Sequence, residues 1–145
     1  MPASPLMALM APMLAAAAVT TVITPGTYAE NISASSVTFI GSDVLISVAS
    51  GRAIDVDSCL FIGHFDFITE DASGICVNAT NTNFVGRFTA VSSSTGPTLN
   101  IITDCHAKEF DARNNGAGMV LSVGGVNNEL AGTFVAASNT NKAVQ

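Results

Sequence analysis

Apolar and polar residues alternate with a period of two in several short stretches of this chain: Val44, Ile46 and Val48; Phe65 and Phe67; Phe88 and Ala90; Phe110 and Ala112. Side chains of a strand point to opposite faces in turn, so the pattern predicts half-buried β-strands, not a helix with its 3.6-residue period. The stretches also recur. Phe39-Ile40-Gly41 returns as Phe61-Ile62-Gly63 and as Phe84-Val85-Gly86, with glycine steps of 22 and 23 residues. Two periods further stands Leu130-Ala131-Gly132, with Ala107-Lys108-Glu109 as a degenerate copy between them. Three more columns keep the same step: Gly51, Gly74, Gly96 and Gly118; Val56, Val77, Leu99 and Leu121; Val44, Phe65, Phe88 and Phe110.

Each copy reads as three short strands separated by Gly, Ser, Asn or Asp corners. Strands this short cannot make hairpins, but stacked turns about 4.8 Å apart satisfy one another's backbone groups in parallel sheets. The expected fold is all-β, a right-handed parallel β-helix (solenoid) of about 5–6 turns. Copies fall at about 35–57, 58–80, 81–103, 104–124 and 125–139, after a less regular lead-in turn at 19–34. The domain reading is an apolar arm or cap at 1–18, the β-helix at 19–139 and a tail at 140–145.

Composition changes the picture in three places. First, the 145 residues suit a single domain, yet carry only 5 Lys and Arg against 11 Asp and Glu, a net charge of −6. Nucleic-acid affinity needs clustered cations, and here Arg52, Arg87, Lys108, Arg113 and Lys142 are scattered, so no nucleic-acid partner is expected. A surface of Ser, Thr, Asn, Gly and Ala suits a protein packed against neighbours.

Second, residues 1–29 hold no charge and four of the five methionines. Leu9 to Val19 could pass for the apolar part of a secretory signal, but no Lys or Arg precedes it. Pro2, Pro5 and Pro12 interrupt a run too short to span a bilayer, so no membrane insertion is expected. The segment is read as a retained arm whose apolar side chains must lie on something. Leu6, Met7, Leu9, Met10, Met13 and Leu14 are its candidate interface residues.

Third, the cysteines number three, so one at least lacks a partner within the chain. Cys59, Thr82 and Cys105 share one column, which puts the two thiols two turns apart, about 9–10 Å and beyond disulfide reach. Free thiols filling core positions are expected.

Ile23-Thr24-Pro25-Gly26-Thr27-Tyr28-Ala29-Glu30, followed by Val37-Thr38-Phe39-Ile40-Gly41, resembles the opening turn of the pectin-lyase-like β-helix superfamily. The resemblance implies architecture more than activity, because that fold carries lyases, hydrolases, esterases and inert viral spikes. Gly63-His64-Phe65-Asp66-Phe67-Ile68 is similar to the pectin methylesterase stretch that holds its nucleophilic Asp, with Asp43 one turn earlier in the place of the acid/base Asp. After Ile68, however, Thr69-Glu70-Asp71 replaces the family's Phe-Gly, and its later substrate-holding Arg motif is absent.

Other constellations carry less. Asp66, Thr89 and Asp111 share an outward column, a spacing of about 9–10 Å between the carboxylates. His64 and His106, the latter near Asp104, lack the spacing of metal ligands, so neither metal nor cofactor is expected.

Small β-helical proteins also resemble bacteriophage decoration (cement) proteins and spike modules. The functional expectation is therefore a structural virion protein with no enzymatic activity, assembled in the host cytoplasm. It would act as a homotrimer that stabilises the capsid by burying the arm against the major capsid protein, another virion protein or sister subunits. The alternatives are a tail spike or fibre module, a carbohydrate esterase or hydrolase using Asp43 and Asp66, and a glycan-binding module.

Overall fold

A computed structural model describes residues 19–137. All fourteen elements in this span are strands, and every strand pairing is parallel. The first turn consists of β1 (Val19–Ile23), β2 (Gly26–Tyr28) and β3 (Ile32–Ser35). Later turns are β4 (Val37–Val48) with β5 (Ile54–Asp57), β6 (Leu60–Thr69) with β7 (Val77–Thr80), and β8 (Asn83–Ser92) with β9 (Leu99–Ile101). A fifth comprises β10 (His106–Ala107), β11 (Phe110–Asn114) and β12 (Leu121–Val123), and β13 (Glu129–Leu130) and β14 (Phe134–Ala136) begin a sixth. The protein is thus a parallel β-solenoid of about five turns with a period of about 22 residues.

The expected three strands per turn are present, but two of them run together. β4, β6 and β8 each bend in mid-course, so one nine-stranded sheet wraps two faces and β3, β5, β7, β9 and β12 form the third. The bend follows the glycine column. Gly41 pairs with Gly63 and Gly63 with Gly86. A Cβ on Gly63 would overlap the Gly41 carbonyl oxygen, and one on Gly86 that of Gly63. Gly63 and Gly86 also have φ of 122° and 127°, a conformation that L side chains rarely adopt.

Inside the bend the aromatic columns stack as the spacing predicts. Phe39, Phe61 and Phe84 lie face to face at 4.8 and 5.4 Å, and Phe65, Phe88 and Phe110 at 5.9 and 5.7 Å. Edge-to-face contacts, such as Phe61 on Phe65 at 5.4 Å, tie the two columns into one core. The third face corrects one reading. Val77 stacks on Ile54, not on Val56, so the column runs Ile32, Ile54, Val77, Leu99, Leu121, while Val56 sits under Ala79 and Ile101. The glycine column at 51 is likewise partial. Gly118 lies over Gly96, and Gly96 over the Ser73–Gly74 carbonyls, but Gly51 faces the side chain of Asn31.

The corner between the third face and the next turn has its own column, which the sequence analysis missed. Ser36, Ser58, Asn81, Asp104 and Asn127 all have positive φ, between 47° and 60°. Asn, Asp and Ser tolerate this region better than β-branched residues do, and their spacing of 22 or 23 was the available signal. Each rung hands its corner N–H to the rung above: Ser36 to Asp57 O at 3.0 Å, Ser58 to Thr80 O at 3.0 Å, Asn81 to Thr103 O at 2.6 Å and Asp104 to Val126 O at 3.0 Å.

Candidate functional site

Asp43 and Asp66 both stand at the outer side of the glycine bend. The register places Leu45, not Asp43, beside Asp66, because an extra residue enters the first bend between Gly41 and Val44. Asp43 is in that irregular stretch, with φ of 53°. The two carboxylates are nevertheless joined by His64, whose Nδ1 is 3.0 Å from Asp43 Oδ1 and whose Nε2 is 3.5 Å from Asp66 Oδ1. The Thr89 hydroxyl, one rung up, donates to the same Asp66 oxygen. The cluster therefore ties three successive rungs together outside the bend. The Asp66 oxygen that a nucleophile would present to a substrate is already taken by Thr89 and His64.

Asp111 completes the outward column over Asp66 and Thr89, as the spacing predicts. Its carboxylate accepts the Thr133 N–H at 2.8 Å, again a link to the next rung. His106 belongs to a different column, above Leu60 and Asn83, with its Nδ1 3.9 Å from Glu129 Oε2. Among the described residues no group of three or more His, Cys, Asp and Glu side chains is arranged to hold a metal ion.

The third face carries a polar ladder. Arg52 pairs with Asp55 at 2.7 Å, the Asn78 amide donates to Asp55 at 2.8 Å, and the Asn100 amide donates to Asn78 at 2.6 Å. In the loop that precedes this face, the Asp71 carboxylate accepts the Gly51 N–H at 2.7 Å and the Ser73 N–H and hydroxyl at 3.0 and 3.1 Å. These donors, Gly51 foremost, hold the Asp71 carboxyl below the ordinary carboxylate range.

All three cysteines are buried and free. Cys59, Thr82 and Cys105 do share a column, and each side chain donates back to the carbonyl two residues earlier, at 3.3, 2.7 and 3.4 Å. The thiols thus replace a threonine hydroxyl in closing the positive-φ corner. Burial pushes all three thiols up, Cys76 to about 12.

The remaining surface feature is apolar. Val22, Ile40, Ile62 and Val85 pair in sequence across β1, β4, β6 and β8 and point outward on one face. Val22 is 63% exposed and Val85 55%. Beside this column, a groove of about 290 Å³ opens between Leu60, Asn83, Val85, His106 and Lys108. The six arm residues singled out as contacts, Leu6, Met7, Leu9, Met10, Met13 and Leu14, lie outside the described residues.

Comparison with protein-family models, curated proteins and solved structures finds no match. The class defined by fold and surface is a parallel β-solenoid whose outward polar side chains bond to one another across rungs and whose first face bears an apolar column.

Proposed function

We propose that the protein is a non-enzymatic structural subunit of a virion: a capsid decoration protein that acts as a homotrimer and stabilises the particle through packing. The observation that carries this reading is the outward Val22–Ile40–Ile62–Val85 column on a stack whose core needs no further partner. Exposed apolar columns on a rigid, weakly charged face mark association surfaces. The carboxylates at the bend serve the stack itself, which supports a structural role over hydrolysis. The virion setting rests on the resemblance of small β-helices to phage decoration proteins. Three free thiols fit assembly in a reducing cytoplasm.

The arm supplies the grip in this proposal, on sister subunits and on the major capsid protein. Deleting residues 2–14 converts the trimer to monomer by light scattering and abolishes binding to particles. Unchanged mass and unchanged binding overturn the proposal. The esterase alternative has its own readout: if the protein hydrolyses carbohydrate esters and Asp66→Asn abolishes that hydrolysis, the enzyme reading replaces the structural one.

A further inference from the structure

We propose that the outward column Val22–Ile40–Ile62–Val85 is the receiving surface for the apolar arm of a second copy of this chain. The inference rests on the self-association reading above and adds the place where the arm lands.

The occupant follows from where the chain enters the described structure. Residues 1–18 carry no charge, and they join β1 directly at Val19, three residues before Val22. At about 3.3 Å per residue, the arm is therefore tethered about 10 Å from the lowest residue of the column. The column is about 14 Å tall, three steps of 4.8 Å, and ends where Lys108 follows Val85 in the repeat. A charged residue at that position stops an apolar face from extending further. Eighteen residues are long enough to cover it, and Leu6, Met7, Leu9, Met10, Met13 and Leu14 have matching chemistry. Unbranched methionines adapt to a surface corrugated by the β-branched Val and Ile and to the groove beside Leu60.

A second copy, rather than the same copy, is the occupant because of what precedes Val19. Met13-Leu14-Ala15-Ala16-Ala17-Ala18 contains none of the Gly, Asn, Asp, Ser or Pro residues that make a tight reversal. Folding back onto its own sheet would require one close to Val19, and the nearest is Pro12. The run leads the arm away from its own face and onto a neighbour's. Three copies related by rotation would each give an arm and receive one, closing a ring.

The test uses the full chain. Val22→Lys with Val85→Lys places two charges on a face that is exposed in the single copy, so circular dichroism and melting stay near wild type. Association weakens by at least about tenfold, because each ammonium would be buried without a partner. Separately, a copy with Met10→Cys is mixed with a differently tagged copy carrying Val85→Cys and treated with a short bismaleimide. The native thiols are buried, and the expected product joins the two tags. Cross-linking only within a doubly substituted chain, or none at all, overturns the inference. If deletion of residues 2–14 dissolves the oligomer while the double lysine variant still assembles, the landing site is wrong and the self-association reading stands. If that deletion leaves the mass unchanged, the self-association reading itself falls.

Discussion

A methyl group on Gly63 has nowhere to go: the Gly41 carbonyl of the rung below occupies its place, and the backbone there is left-handed. Gly63→Ala therefore costs more than about 3 kcal/mol, the sum of a strained φ and a forced rung separation. Gly124, with nothing within 4 Å of a Cβ, is the control, and its alanine variant unfolds within about 0.5 kcal/mol of wild type. Urea titration of both variants checks the contrast. The thiols give a second expectation at this scale. In the folded protein they stay protonated far above the unfolded value of about 8.5, Cys76 to about 12. The unfolded chain then loses protons first as pH rises, so stability declines from about pH 8.5 upward until the folded thiols titrate too. At pH 8, Ellman's reagent finds no reactive thiol in the native protein and three after denaturation; immediate native reaction would place a cysteine outside the core.

Elements differ in how they change from rung to rung. The core column Val48, Thr69, Ser92, Asn114 begins apolar and ends polar, and all four are buried. At its upper end the Asn114 amide donates to Gly96 O and Met119 O at 2.9 and 3.0 Å, while its oxygen accepts the Gly116 N–H at 2.8 Å. Asn114→Ala leaves these backbone groups unpaired at a cost of about 2–4 kcal/mol, and loosens the 93–119 loops specifically, read as lost amide protection there. The same elements show what the sequence could reveal. The Phe columns were legible because β4, β6 and β8 share the Phe-x-Gly bend at a constant step. The Val56 assignment failed because the connection to the third face varies: six positions from Val48 to Ile54, eight from Thr69 to Val77. A fixed period cannot see that variation. Pairing Asp43 with Asp66 failed for a related reason, since the first bend spends one more residue than the next. His64 as the link between them depends on that extra residue, so spacing alone did not reveal it.

For the whole molecule, stability is distributed as in other stacked repeats, each turn leaning on its neighbours. β4, β6 and β8 pair along both arms of the bend, whereas β12, β13 and β14 contribute two or three residues each. Hydrogen exchange therefore is slowest at Phe61–Phe67 and Phe84–Phe88 and fastest in β12 to β14; uniform protection would mean that the stack opens only as a unit. All-or-none opening is not required for its architecture.

The carbonyl-to-N–H handover at each positive-φ corner has a consequence for how such a molecule changes in size. Since every storey meets the next through main-chain atoms in one repeated geometry, duplicating a stretch of 22 or 23 codons would add a storey without redrawing the floor plan. Height would be a matter of copy number, while the side chains on each outer wall remain free to diverge.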